Sequence, residues 1–76
     1  MQPHEERVII EKKELDEKID KLKAFIMENP VFKRLSIEEQ KRLNQQYDIM
    51  IQYSKILNER INAFISWKDS SALDWR

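Results

Sequence analysis

The chain has 76 residues, with 14 basic and 14 acidic side chains, so it carries no formal net charge. This balance leaves no overall field to steer it onto DNA or a membrane surface. The absence of cysteine excludes disulfides and most structural zinc sites, and a single histidine argues against a multi-imidazole metal site.

A domain this small buries only about 60 % of the surface that its unfolded chain exposes. Small domains are usually stabilised further by disulfides, by a bound metal or by association with other chains. Because this composition argues against disulfides and metal sites, association is the expected source of stability. The chain is 37 % charged and 41 % apolar, with no glycine and two prolines, a balance typical of long amphipathic helices.

The same composition argues against an enzyme. Without glycine there is no phosphate-cradling loop and no nucleophile elbow, and one histidine cannot build an ordinary catalytic triad. We therefore predict a non-enzymatic protein that needs no cofactor. No apolar run approaches the ~20 residues that span a bilayer, and the first residues lack the order of a signal peptide, so a cytoplasmic location is expected.

The first predicted helix covers residues 3 to about 28. Pro3 suits a first helical position, and Asn29 before Pro30 disfavours a further helical residue. Apolar residues recur along this segment at steps of seven, four, three and four, which is the stripe of an amphipathic helix: Val8, Leu15, Ile19, Leu22 and Ile26.

The second predicted helix covers residues 37 to about 67, after a capping box formed by Ser36 and Glu39. Its seam follows heptad spacing through two sets of residues: Leu43, Met50, Leu57 and Phe64, with Tyr47, Ser54 and Ile61 between them. Residues 1–67 thus form one helical domain. Residues 68–76 lose the pattern and are expected to be a flexible tail, or to dock on a neighbouring subunit through Leu73 and Trp75.

The short connector makes the two helices antiparallel neighbours, so the expected fold is an all-α helical hairpin. If Leu22 faces Leu43, the same register places Lys12 opposite Ser54, in a polar layer. Apolar residues remain on both flanks, beyond what a monomer usually exposes. We therefore expect a homo-oligomer, at least a four-helix bundle. The leftover residues include these: Ile9, Ile10, Phe25, Met27, Ile49, Ile51, Tyr53, Ile56 and Ile65.

Cationic and aromatic side chains gather at the open end of this hairpin. Phosphate oxygens are bound by guanidinium and ammonium groups, and bases stack on aromatic rings. Other interpretations stay open. The histidine and the arginines can be ordinary solvent-exposed residues, the lysine can serve to fix the helix register or the oligomeric state, and the tyrosine can serve only in packing. The candidate ligand-binding residues are His4, Arg7, Lys12, Tyr53, Arg60 and Trp67.

The segments "HEERVIIEKKELDEKIDKLKAFI" and "NPVFKRLSIEEQKRLNQQYDIMIQYSKILNERI" resemble a family of short, uncharacterised tailed-phage proteins related to a crAss-like phage. The resemblance covers about residues 4 to 65 and implies a phage protein. The matching positions are His4, Arg7, Val8, Glu11, Lys12, Leu15, Lys18, Ile19, Glu39, Gln40, Gln46, Met50, Tyr53, Arg60 and Ile61.

In size and architecture the chain is also similar to the helical-hairpin sponges by which phages block the CBASS and Thoeris defences. That likeness implies an oligomer that sequesters a cyclic oligonucleotide or an ADP-ribose-derived signal in the host cytoplasm. It assigns no residue. The alternative is an interaction module that inhibits a host defence protein through the leftover apolar stripe. A DNA-binding regulator is disfavoured because acidic and basic residues are interleaved.

Overall fold

The chain forms a helical hairpin. The computed structural model describes the backbone of residues 2–74 and the side chains of residues 2–64. Within that part the elements are α1 (Pro3–Glu28), α2 (Pro30–Arg34) and α3 (Ile37–Asp74). The long helices α1 and α3 pack against each other, and they run antiparallel because His4 meets Phe64 while Asp16 meets Ser54. The molecule measures 61 × 17 × 17 Å.

The ends of α1 follow from local hydrogen bonds and from proline. Pro3 begins the helix, and the Glu5 carboxylate accepts a hydrogen bond from the Gln2 backbone N–H at 2.9 Å. At the other end the Asn29 backbone leaves the helical region. The Asn29 side-chain oxygen accepts from the Val31 N–H at 2.9 Å. Asn29 therefore ends α1 and caps α2.

The start of α3 shows half of the expected capping box. The Ser36 hydroxyl oxygen accepts from the Glu39 N–H at 3.1 Å, whereas the Glu39 carboxylate accepts from Arg42 Nε at 2.7 Å. The Gln40 side-chain amide donates to the Leu35 carbonyl oxygen at 2.9 Å. The connector is thus tied to the first turn of α3 by one side chain of the connector, Ser36, and by one side chain of α3, Gln40.

The core lies along the predicted seam. Leu57 is fully buried, and it packs with three buried residues of α1: Val8, Leu15 and Ile19. Half-buried residues of α3 surround this cluster: Tyr47, Met50, Ile61 and Phe64. At the closed end Phe32 of α2 is buried, with its ring edge-on to Phe25 and 6.1 Å between ring centroids. The sequence pattern predicts no packing for this short helix.

The register of the hairpin differs from the predicted one by about one helical turn. Sequence spacing placed Ser54 opposite Lys12, but the Ser54 hydroxyl is bonded to Asp16, one turn further along α1. Phe64 likewise meets His4. Periodicity fixes which side of each helix faces the seam, and it leaves the offset along the axis free. The geometry of α2 and the bond between Ser54 and Asp16 decide that offset.

The backbone of α3 extends through residue 74, past the point near Trp67 where the heptad pattern ends. No glycine or proline lies in "KDSSALD", so nothing local breaks the helix. Docking of Leu73 and Trp75 falls outside the described side chains. Among the residues searched, no helix combines the length and the hydropathy that crossing a bilayer requires.

Candidate functional site

A polar layer crosses the middle of the hairpin. One oxygen of the Asp16 carboxylate accepts a hydrogen bond from the Lys12 ammonium at 2.6 Å, and the other accepts from the Ser54 hydroxyl at 2.5 Å. Asp16 therefore joins the two long helices while neutralising Lys12. The sequence indicated a polar layer here but not its central member, although the four-residue spacing of Lys12 and Asp16 is that of a helical ion pair.

These bonds lower the pKa of the Asp16 carboxyl from its ordinary value of 3.8. The largest cause is the hydrogen bond from Lys12, followed by the one from Ser54; desolvation opposes them. Because the pKa is lower in the folded chain than in the unfolded one, the charged carboxylate stabilises the fold above the unfolded value. That contribution is lost as the pH falls below 3.8 and through the folded pKa.

Replacing Asp16 with asparagine is therefore expected to destabilise the fold near neutral pH by no more than about 1 kcal/mol, because the side chain is 43 % exposed and its ion pair is screened. Urea unfolding at pH 7 and at pH 3 measures the effect. The difference between the wild type and D16N should shrink at the lower pH. An equal difference at both values would contradict the assigned role of the charge.

The polar layer lines an open groove on one side of the hairpin, called here the Asp16 groove. Its volume is about 530 Å³. The residues that define it are Lys12, Asp16 and Asp20 of α1 with Ile51, Ser54 and Lys55 of α3. Two lysines and two aspartates line it, so it offers no concentration of positive charge to an anion.

The two candidate arginines lie on the other side of the hairpin. Arg7 is nine positions from Asp16, and Arg60 is nine positions from Ile51; nine residues make about two and a half helical turns. Because Asp16 and Ile51 share one groove, both arginines are turned away from it. Tyr53 lies seven positions, about two turns, from Arg60 and so on the same side. Arg7, Tyr53 and Arg60 are called the arginine face.

The register brings the two arginines to one level. The contacts of Asp16 with Ser54 and of His4 with Phe64 place Arg60 beside residues 8–10 of α1. It is thus within about 5 Å of Arg7 along the hairpin axis. Both side chains are exposed, and neither has an ion-pair partner among the described side chains. Two guanidinium groups at one level, with no ion-pair partner among the described side chains, are suited to the charge-assisted hydrogen bonds that anions accept.

Two further candidates lie near this pair. Tyr53 is 41 % exposed and lies roughly 10 Å along α3 from Arg60. His4 is exposed, three residues before Arg7, with its ring edge-on to Phe64 at a centroid distance of 6.3 Å. The structure thus brings His4, Arg7 and Arg60 to one end of the hairpin, with an aromatic ring further along.

The remaining two candidates do not join this group in the described part of the chain. Lys12 lies in the Asp16 groove and is held by Asp16, so the structure separates it from Arg7. The reason is helical rotation: Lys12 follows Arg7 by five positions on α1, so the two side chains point about 140° apart around the helix axis. Trp67 belongs to α3, but its side chain lies outside the described residues. No group of three or more potential metal ligands converges among the residues searched.

The fold and these exposed groups define an all-α helical hairpin in which two exposed arginines have no ion-pair partner among the described side chains. A family model described as Sequestin matches residues 2–63, a range that includes α1, α2, most of α3 and the whole arginine face. The chain belongs to the Sequestin family. No curated protein and no solved structure matches it.

Proposed function

We propose that this protein is a non-enzymatic sponge that sequesters a nucleotide immune signal, a cyclic oligonucleotide or an ADP-ribose derivative. The observation that supports the proposal is the pair of exposed arginines at one level of the hairpin, neither of which has an ion-pair partner among the described side chains. The family name, Sequestin, supports a sequestering role. The setting is the cytoplasm of a bacterium infected by the phage that encodes the protein.

The proposal gives a distinct role to each residue of the arginine face and to the other three candidate residues. Arg7 and Arg60 hold phosphate oxygens through charge-assisted hydrogen bonds. The exposed ring of Tyr53 offers a surface on which a base stacks. His4 adds a hydrogen bond beside Arg7, and Trp67 is a second stacking residue. Lys12, neutralised by Asp16, contributes to the register of the hairpin instead of to the ligand.

The first test is thermal unfolding of the purified protein against cyclic dinucleotides, cyclic trinucleotides and cyclic ADP-ribose isomers. A ligand at a hundred times its dissociation constant adds about 2.7 kcal/mol, which raises Tm by roughly 10 °C or more in a domain of this size. One class of nucleotide should raise Tm selectively, and the bound molecule should be recovered intact after denaturation. A flat panel or a cleaved nucleotide would contradict the proposal.

A second function is favoured by a different feature, the exposed apolar residues of α3. Ile49 is 60 % and Ile56 is 53 % exposed, and such residues on one side of a helix suit a protein partner. In this alternative the hairpin inhibits a host defence protein. A folded protein that responds to no nucleotide but forms a stoichiometric complex with a defence protein from infected cells would favour it.

A further inference from the structure

Between residues 45 and 56, one outer side of α3 carries no charged side chain. Four residues recur at steps of four, three and four and so share one side of the helix; they are called the isoleucine stripe: Gln45, Ile49, Gln52 and Ile56. The chain as a whole is 37 % charged, so four uncharged positions on one helix side stand out. Loss of charge around large apolar side chains is typical of the centre of a protein interface.

The stripe lies directly beside the arginine face. At about 100° per residue, Ile49 and Ile56 are turned about 80–100° away from the buried Leu57. Tyr53 and Arg60 are turned about 40–60° in the same direction. Tyr53 and Arg60 therefore lie between the core seam and the isoleucine stripe. A molecule bound on the stripe would adjoin the proposed anion site.

The amount of exposed surface points to an occupant the size of a whole protein. The chain exposes 6263 Å², whereas a compact monomer of 9.3 kDa exposes about 5,000 Å². The excess is roughly 1,300 Å², and a stable dimer buries about 800 Å² on each partner. One interface of ordinary size would bring the exposed area of each chain close to that of a compact protein.

The stripe is complementary to itself when two copies of α3 cross antiparallel. In that arrangement Ile49 meets Ile56 of the second copy, and Ile56 meets its Ile49, as two-fold symmetry requires. Arg60 then meets Gln45 of the second copy. A parallel pairing would set Arg42 against Arg42 and Arg60 against Arg60, and such like-charge contacts are unfavourable.

We infer that a second copy of this chain packs antiparallel on the isoleucine stripe, and that its Gln45 completes the anion site formed by Arg7 and Arg60. The amide of that glutamine donates a hydrogen bond to the same anion, so a dimer holds two identical sites, each built from both chains. This inference rests on the proposed function for the ligand, whereas the dimer itself rests on the stripe.

Sedimentation equilibrium tests the dimer. The wild type should have twice the 9.3 kDa chain mass, and Ile49→Glu with Ile56→Glu should reduce it to a single chain. Ile10→Glu with Ile37→Glu is the matched control, because these isoleucines are equally exposed, at 54 % and 61 %, and lie off the stripe. A monomeric wild type, or an unchanged mass in the stripe variant, would overturn the inference.

Cysteine cross-linking tests the relative orientation of the two α3 helices. The chain has no cysteine of its own, so only the introduced cysteines can form a disulfide. Ile49→Cys and Ile56→Cys are purified separately and then mixed under oxidising conditions. The antiparallel pairing predicts cross-linked dimers that contain one copy of each variant. Cross-links that form equally well within either variant alone, or a dimer without any cross-link in the mixture, would overturn it.

Nucleotide binding separates this inference from the proposed function. The nucleotide that stabilises the wild type should bind the monomeric stripe variant at least tenfold more weakly, and Gln45→Ala should weaken it while preserving the dimer. A dimeric wild type that binds no nucleotide from the panel would contradict the proposed function alone. A monomeric stripe variant that binds as tightly as the wild type would contradict the shared site alone.

Discussion

Leu57→Ala is expected to lower the free energy of unfolding by about 2–5 kcal/mol, the usual cost of truncating a buried leucine. Leu57 is 0 % exposed and belongs to one buried cluster with Val8, Leu15 and Ile19. A domain of this size has a total stability of the order of 4–11 kcal/mol, so one substitution removes a large part of it. Urea unfolding followed by circular dichroism measures the change.

The matched control for this substitution is Ile10→Ala, which removes a similar side chain from a position that is 54 % exposed. Its expected effect is within about 0.5 kcal/mol, as for most surface substitutions. Both variants are compared at one protein concentration, because association would add to the apparent stability. A loss below about 1 kcal/mol in Leu57→Ala would show that the core is built differently.

The double variant Arg7→Ala with Arg60→Ala is expected to abolish nucleotide binding, with at least a hundredfold loss of affinity. A hydrogen bond to a charged group contributes about 1.5–3 kcal/mol, and each 1.4 kcal/mol is a factor of ten, so each arginine accounts for tenfold or more. Isothermal titration calorimetry with the nucleotide found in the thermal panel measures the loss.

Arg34→Ala provides the control for the arginine variants. Arg34 is exposed at the end of α2, at the closed end of the hairpin and far from Arg7, so its loss should leave the affinity unchanged. All three substitutions are at exposed positions and should preserve the far-ultraviolet spectrum and the melting temperature within a few degrees. Unchanged affinity in the double variant would remove the arginine face as the site.

The Asp16 groove and the arginine face show how helical rotation divides one set of candidate residues. Arg7 and Lys12 are both cations near the start of α1, and the sequence groups them. Five residues of rotation send them to different sides of the hairpin, where Lys12 finds Asp16 at 2.6 Å. Arg7 has no ion-pair partner among the described side chains. A cation that its neighbour neutralises is a weaker ligand than one left uncompensated.

The sequence by itself determined the bounds of α1, the start of α3 and the sides on which the two long helices pack. Pro3 and the pair Asn29 and Pro30 act on the local backbone, and the apolar period follows from 3.6 residues per turn. The start of α1, its end and the buried positions Val8, Leu15, Ile19 and Leu57 follow from these local rules. No knowledge of distant contacts is needed for them.

The tertiary structure decided the offset between α1 and α3, and with it the composition of the polar layer. A helix can slide along its neighbour without changing which side it presents, so periodicity leaves the facing pairs open. The contact of Asp16 with Ser54 sets the offset in mid-hairpin. At the closed end, the contact of Phe32 with Phe25 holds α2, which leads into α3, against α1. The predicted register already brings Arg60 to the level of His4 and Arg7, and in the folded chain Arg60 lies beside residues 8–10. What the offset changes is the partner of Ser54, which is Asp16 and not Lys12.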